Sequence, residues 1–134
     1  MKKLLFIALA VLCIGTAKAQ VSKAMVNPNG LALDTASQAA AEGPKVIVTG
    51  NAKTFSIVLV TTKISGTIAG TVSWQGSNDG VNFATIGSAT NLVDASTNYT
   101  YKEVDKGYAY YRALITQTGT SSLSYKGTSY TSQL

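Results

Sequence analysis

The residues of this chain that could do chemistry are mainly carboxylates and tyrosines. The sequence has no histidine and one cysteine, Cys13. Without histidine, the chain cannot form a Ser-His-Asp triad, a Cys-His pair or a histidine-ligated zinc site. Paired carboxylates could still perform acid–base chemistry. The acidic residues are Asp34, Glu42, Asp79, Asp94, Glu103 and Asp105. Their scattered spacing is typical of solvated surface charges, so the sequence predicts no enzymatic activity and no cofactor.

The tripeptide Asn78-Asp79-Gly80 has a composition that suits either a hairpin turn or a metal site. Glycine accepts a positive φ, and Asn and Asp tolerate one through local hydrogen bonds. With Asn82, the same residues could offer oxygens to Ca²⁺, but such a site usually needs six to eight oxygens and more than one carboxylate. We therefore predict a structural turn with a positive φ at Gly80 and no metal. A role confined to the turn also predicts that Asp79→Asn is nearly neutral.

Aromatic residues could serve a binding function, because tyrosine combines an apolar ring with a polar end. Trp74 invites a sugar-stacking hypothesis, but its period-2 alternation with Val72 places both on a buried face. Tyr110, Arg112 and Tyr130 alternate with residues that look buried, so we predict that these three are exposed contact residues.

The first 19 residues have the organisation of a secretory signal peptide. Two lysines precede an apolar run over residues 4–14, which is too short to span a bilayer of about 30 Å. Ala17-Lys18-Ala19 is a small-residue cleavage site, so the exported chain is predicted to begin at Gln20. The alternative is a retained membrane anchor. Cleavage predicts an exported protein with no membrane span, located in the periplasm, at the cell surface or outside the cell.

The charge of the chain depends strongly on this segment. The full sequence has a net charge of +5, but three of its basic residues lie within residues 1–19. The remaining lysines are isolated from one another and form no basic stripe. We therefore predict no nucleic-acid binding.

Alternating apolar residues from residue 45 onward indicate short β-strands. Both faces of residues 55–60 are apolar, which predicts a central strand. Val81 and Phe83 are predicted to continue a buried face after the turn, with a bulge near Ala84-Thr85. The predicted strands cover residues 46–49, 55–60, 71–75, 81–86, 98–104, 108–117 and 121–130. About seven short strands with frequent turns predict an all-β fold, an antiparallel β-sandwich of jelly-roll or immunoglobulin-like type.

The chain divides into three predicted parts. Residues 1–19 are the signal peptide, residues 20–44 an irregular N-terminal arm, and residues 45–134 the β-sandwich. A short helix ending at Gly43 is an alternative for the arm, because Pro44 would end it. The last strand, which contains Tyr130, is predicted to be an edge strand.

Residues 62–83, the strand beginning Tyr110-Tyr111-Arg112 and the closing Lys126-Gly127 resemble small β-sandwich virion structural proteins of phages that infect Bacteroidota. This resemblance implies a structural, non-catalytic role in a multicopy assembly. The pairing of residues 77–83 with Tyr111-Arg112 is also similar, more weakly, to discoidin-like galactose-binding sandwiches, which implies glycan binding.

The sequence therefore predicts a non-enzymatic structural or interaction module. Its predicted role is a subunit or decoration of a virion or cell-surface assembly, with other copies of the chain or other structural proteins as partners. The alternative is a secreted discoidin-like carbohydrate-binding module with a glycan as its partner.

Overall fold

The computed structural model describes residues 20–26, 33–36, 41–43, 45–47, 52–104, 107–118 and 120–133. The predicted signal peptide lies outside these residues. The described residues form ten β-strands and no helix, which confirms the all-β class. They accordingly contain no helix long and apolar enough to cross a membrane.

The strands follow one another in chain order as β1 to β10. Their bounds are β1 Gln20–Ala24, β2 Leu33–Ala36, β3 Ala41–Glu42, β4 Lys45–Ile47, β5 Ala52–Ser65, β6 Gly70–Ser77, β7 Ala84–Asn91, β8 Thr97–Val104, β9 Tyr110–Gln117 and β10 Ser122–Gln133.

Two five-stranded antiparallel sheets form the fold. Sheet A has the order β1-β10-β5-β8, and β2 also pairs with β10. Sheet B has the order β3-β9-β6-β7, and β4 also pairs with β9. This architecture confirms the predicted antiparallel β-sandwich and the central position of β5.

The core lies between the two sheets and follows the predicted alternation. Phe55 of sheet A and Tyr111 of sheet B have ring centroids 4.4 Å apart, so the inner faces of the two sheets are in direct contact. Trp74 is 4% exposed, which confirms its predicted burial. The other large core side chains are Met25, Ile57, Leu59, Ile68, Val72, Leu92, Tyr99, Ile115, Leu123 and Tyr125.

The described part of residues 20–44 differs from the irregular arm expected there. β1 and β2 follow each other along one side of β10, and β3 pairs with β9. Met25 anchors this segment, because its side chain is fully buried and its N–H donates to the Gly127 carbonyl at 2.9 Å. The buried Gln117 amide donates to the Ala36 carbonyl at 3.1 Å. The N-terminal segment therefore provides strands to both sheets, and neither a loose arm nor a helix describes it.

This pairing corrects the prediction that the last strand is an edge strand. β10 lies between β5 on one side and β1 with β2 on the other, so its backbone groups are paired along both sides. On the far side of the sandwich, the outermost strands are β8 in sheet A and β7 in sheet B.

Two further predictions near the hairpin are wrong. Val81 is 78% exposed, and Phe83 lies against Arg112 on the outer side of the sheet, because β7 begins only at Ala84. The irregularity in β7 also comes later than predicted. Pairing shifts between Ile86 and Thr90, where Gly87 has a φ of 70°.

Candidate functional site

The hairpin turn after β6 is built around the side chain of Ser77, which is 2% exposed. Its hydroxyl accepts from the Gly80 N–H at 3.0 Å and from the Asp79 N–H at 3.3 Å. The same hydroxyl donates to Asp79 Oδ1 at 2.8 Å. Gly80 has a φ of 76°, the positive value expected for glycine at this position.

The Asp79 carboxylate is fully engaged within this turn. It accepts from the N–H groups of Val81 and Asn82 at 2.8 Å each, and from Asn82 Nδ2 at 2.7 Å. These bonds, with the one from Ser77, hold the pKa of Asp79 well below its usual range. In an Asp79→Asn variant, an amide NH₂ group would take the place of Asp79 Oδ2. That group cannot accept the hydrogen bond that Asn82 Nδ2 donates. We therefore expect Asp79→Asn to destabilise the fold, in contrast to the near-neutral effect expected from sequence.

Asp79 and Asp94 together predict loss of stability in acid. Asp94 has a lowered pKa because it accepts from Lys63 Nζ and from the Ile68 N–H. A carboxyl group whose pKa is lower in the folded than in the unfolded chain stabilises the fold at pH values above its unfolded-state pKa of about 3.9. That stabilisation is lost as the pH falls through the folded-state pKa. We expect a level melting temperature between about pH 5 and pH 7 and a decline below about pH 4.

Asp79→Asn should lower the melting temperature at pH 7 and make the acid decline shallower. An acid profile identical to that of the parent chain would contradict this role.

Gly80→Val should destabilise the chain for two reasons. A β-branched residue is strained at a φ of 76°, and a Cβ there would lie 3.0 Å from Cε1 of Tyr110. We expect a loss of about 1–2 kcal/mol or more in the free energy of unfolding, measured by urea denaturation. Gly80→Asn is the matched control, because asparagine tolerates positive φ, and should lose less. Equal losses for both variants would show that the backbone angle is unimportant.

Next to this turn, the outer face of sheet B carries a group of interlocked side chains. The Arg112 guanidinium lies 4.1 Å from the centroid of the Phe83 ring, and its Nε donates to Gln75 Oε1 at 2.7 Å. Gln75 in turn donates to Thr85 Oγ1 at 3.4 Å. Tyr110 is half-buried beside Gly80. This set, the sheet B cluster, satisfies much of its hydrogen bonding internally.

The outer face of sheet A carries a different arrangement, set by strand register. Tyr130 of β10 pairs with Ser56 of β5, and Ser56 pairs with Lys102 of β8. Directly paired residues share a face of the sheet. Tyr130 and Lys102 therefore flank a serine on the outer face, and their backbones are about 10 Å apart, which is two strand spacings.

The adjacent row completes a cleft. Ser132 of β10 pairs with Thr54 of β5 and with Gln20 of β1, and the hydroxyls of Thr54 and Ser132 are hydrogen-bonded to each other. A depression of about 250 Å³ lies over these two rows. Its lining residues are Gln20, Thr54, Phe55, Ser56, Lys102, Tyr130 and Ser132. We call it the sheet A cleft. Its floor is made of small hydroxyl side chains between two long ones.

The structure brings some of the predicted site residues together and separates others. Tyr110 and Arg112 share the outer face of sheet B, and the turn residue Gly80 lies against Tyr110. Tyr130 lies on the outer face of sheet A, on the opposite side of the sandwich. One contact surface therefore cannot contain all three predicted contact residues. Sequence reasoning did not find Thr54, Ser56, Lys102 or Ser132, because only strand register brings them beside Tyr130.

Two carboxylates, Asp79 and Asp94, have structural roles. Asp79 closes the hairpin turn, and Asp94 pairs with Lys63 and with the main chain of Ile68. Within the described ranges, no group of three or more His, Cys, Asp or Glu side chains could hold a metal ion.

Comparison with solved structures shows what this sandwich is similar to. The tandem CBM22-1-CBM22-2 domain of Paenibacillus barcinonensis Xyn10C matches with a TM-score of 0.53 and 8% identity over 87% of this chain, which spans 47% of that chain. The CBM22-1 xylan-binding domain of the same protein matches with a TM-score of 0.50 and 9% identity over 88% of each chain. The SPBc2 prophage-derived protein YomS matches with a TM-score of 0.52 and 12% identity over 87% of this chain and 97% of its own.

These similarities concern the fold alone, because the identities are low. No protein-family model matches the sequence, and no curated protein matches it. The neighbours comprise β-sandwich carbohydrate-binding modules and a prophage protein. The comparisons support the predicted β-sandwich fold, which a prophage-derived protein of nearly the same extent shares, and they give no family evidence for Bacteroidota phage proteins.

Proposed function

We propose that this chain is a non-catalytic module that binds carbohydrate in the sheet A cleft. The observation that carries the proposal is the row of Tyr130, Ser56 and Lys102 across the outer face of sheet A. It places a half-buried aromatic ring, a small hydroxyl and an ammonium around one depression.

Sugar rings present two kinds of surface, and the cleft offers a match for each. The C–H face of a pyranose is apolar and packs on an aromatic ring, while its edge carries hydroxyls that donate and accept hydrogen bonds. Tyr130 supplies a ring with a polar end. The hydroxyls of Ser56 and Thr54 both donate and accept, and the Lys102 ammonium donates only. The depression of about 250 Å³ is smaller than the roughly 300–1,000 Å³ typical of drug-sized ligands, which suits a short stretch of glycan.

The sheet B cluster is the less suitable of the two outer faces. One face of the Phe83 ring is covered by the Arg112 guanidinium, and Gln75 uses its oxygen for Arg112 and its nitrogen for Thr85. A sugar bound there would have to break contacts that the chain already makes. In the sheet A cleft the Thr54 and Ser132 hydroxyls bond to each other, but each hydroxyl keeps further hydrogen-bonding capacity for a sugar.

The structural neighbours support the same reading. Two of the three matches described above are carbohydrate-binding modules, one of them a xylan-binding domain. Xylo-oligosaccharides are therefore the first probes, and cello-oligosaccharides and manno-oligosaccharides test other glycan classes.

We propose that the protein is exported, with cleavage before Gln20, and that it would therefore meet extracellular glycans. The intact mass of the exported protein tests this, and a chain that retains residues 1–19 would contradict it.

Isothermal titration calorimetry with these oligosaccharides tests the binding site. Tyr130→Ala should weaken binding by about tenfold or more, since an aromatic stacking contact contributes on the order of 1 kcal/mol beyond its buried area. Tyr130→Phe should retain most of the affinity. Tyr110→Ala is the matched control on the opposite face and should bind like the parent chain. Binding that is lost in Tyr110→Ala and kept in Tyr130→Ala would contradict the proposed location.

A second candidate function is a subunit of a multicopy virion or cell-surface assembly. The specific observation in its favour is the uninterrupted outer strand β8, whose eight residues pair with β5 without a register shift. The match to YomS over 97% of that prophage-derived protein is consistent with this candidate. Such an assembly requires contacts between copies of the chain, which size-exclusion chromatography with light scattering would detect.

A further inference from the structure

The two sides of the sandwich are protected to different degrees. On one side, β1 and β2 cover β10 in sheet A, while β3 and β4 cover β9 in sheet B. On the other side, β8 and β7 are the outermost strands. An outer strand presents unpaired N–H and C=O groups that can pair with another chain, unless the strand is irregular or covered.

β7 is irregular in the manner that discourages such pairing. Between the pairs Val72–Thr90 and Trp74–Ile86, β7 contains three residues where β6 contains one. Gly87 within this stretch has a φ of 70°. An interruption of this kind bends the strand and breaks its row of backbone groups.

β8 has neither an irregularity nor a covering strand among the described residues, and its exposed Lys102 restricts the registers in which it can pair. Its eight residues pair one by one with residues 54–61 of β5, without a register shift. Within the described ranges, no strand pairs with its other side. At about 3.3 Å per residue, this edge is about 26 Å long.

We propose that β8 is an assembly edge at which a second copy of this chain adds its own β8 in antiparallel orientation. The pairing is centred on Thr100, so that Thr100 faces Thr100 of the second copy. Asn98 then faces Lys102 of the second copy, and Tyr99 faces Tyr101. The core-facing residues of both β8 strands then lie on the same side of the joined sheet. The two sheets A therefore form one continuous sheet whose core-facing sides are aligned.

The side chains of β8 favour this self-pairing. Over residues 97–102, where the exposure of the side chains is described, Asn98, Thr100 and Lys102 are exposed. In the Thr100-centred register, each ammonium faces a neutral amide oxygen acceptor, and no like charges oppose each other. A register centred on Lys102 would instead place two ammonium groups opposite each other, which is destabilising. Threonine pairs opposite each other are favourable in antiparallel sheets.

This inference concerns a different partner from the carbohydrate. Asn98 and Thr100 do not line the sheet A cleft, whereas Lys102 lies in the cleft and also faces Asn98 of the second copy. The inference extends the second candidate function, a subunit of an assembly, by specifying the edge strand, the partner and the pairing register. Oligosaccharide titration of the same variants separates the two proposals. Asn98→Lys and Thr100→Cys leave every residue that lines the cleft unchanged, so as monomers they should bind glycan like the parent chain.

Disulfide trapping tests the register in the full chain carrying Cys13→Ser, so that one cysteine is present. Thr100→Cys should form a disulfide-linked dimer on mild oxidation, because facing Cα atoms in an antiparallel pair are about 4.5–5.5 Å apart. Asn98→Cys is the matched control, because in this register the two cysteines would be about 13 Å apart. Equal cross-linking of both variants, or none at Thr100→Cys, would overturn the register.

Light scattering and sedimentation test the dimer itself. Asn98→Lys should weaken self-association by about tenfold, because it places two pairs of like charges face to face, and Asn98→Asp should strengthen it through charge pairing with Lys102. A parent chain that remains monomeric at millimolar concentration would overturn the proposal. So would a dimer that is indifferent to both Asn98 variants, since its interface would then lie elsewhere.

Discussion

Replacing Tyr111 with alanine should reduce the free energy of unfolding by about 3–5 kcal/mol, the range found for large aromatic residues in cores. Tyr111 is fully buried, and its ring contacts Phe55 at 4.4 Å and Tyr108 edge-on at 6.1 Å between centroids. Its removal would open a cavity at the point where the two sheets meet. Chemical denaturation monitored by circular dichroism measures the loss.

Tyr111→Phe is the matched control, because it keeps the ring and removes only the hydroxyl. That hydroxyl accepts from the N–H groups of Gly107 and Tyr108 at 3.1 Å each. The expected loss is about 1 kcal/mol, since the exposed Gly107 can turn to water. If the alanine and phenylalanine variants were equally stable, the hydroxyl rather than the packed ring would hold the sheets together.

Trp74→Ala should also cost about 3–5 kcal/mol. Trp74 is 4% exposed on the inner face of β6, and its ring lies 5.7 Å from that of Tyr101 across the sandwich. Because the chain has one tryptophan, the fluorescence of the folded protein should be blue-shifted and should move to the red on unfolding.

Phe83→Ala is the matched control for this substitution. Phe83 packs against Arg112 on the outer face, so its removal should cost clearly less than that of Trp74. An emission maximum typical of water-exposed tryptophan in the folded chain would contradict the burial of Trp74 and return it to consideration as a sugar-stacking residue.

The parts of the fold that could be predicted from sequence are those governed by local alternation. Val72 and Trp74 were expected on a buried face from their period-2 alternation, and both are buried. The same holds for Tyr111, Ala113 and Ile115, which alternate with Tyr110 and Arg112 in β9. In a two-layer sandwich, each strand buries one face, so large apolar residues at alternating positions identify the core without knowledge of the partners.

The N-terminal strands could not be predicted in this way. Residues 20–44 contain mostly small side chains, and the five residues of β1 are all exposed. Their strand conformation comes from pairing with β10, not from burial of an apolar face. Met25 and Ala36 are buried, but two buried side chains eleven positions apart have no periodicity to detect. The failure to see these strands led directly to the incorrect prediction that β10 is an edge.

The sheet A cleft was beyond sequence reasoning for a related reason. Tyr130 was identified as a surface aromatic, but its neighbours Ser56 and Lys102 come from strands far away in the chain. Serine and lysine at exposed strand positions carry no signal individually. Only the register of β10, β5 and β8 shows that they form one row.

The most direct test of carbohydrate binding in the sheet A cleft is an NMR titration of the chain with the oligosaccharide that binds best in calorimetry. We predict that the largest chemical-shift changes occur at Tyr130, Ser56 and Lys102, with little change at Arg112 and Gln75. Changes centred on Arg112 and Gln75, or no change with any glycan of the panel at millimolar concentration, would contradict the account.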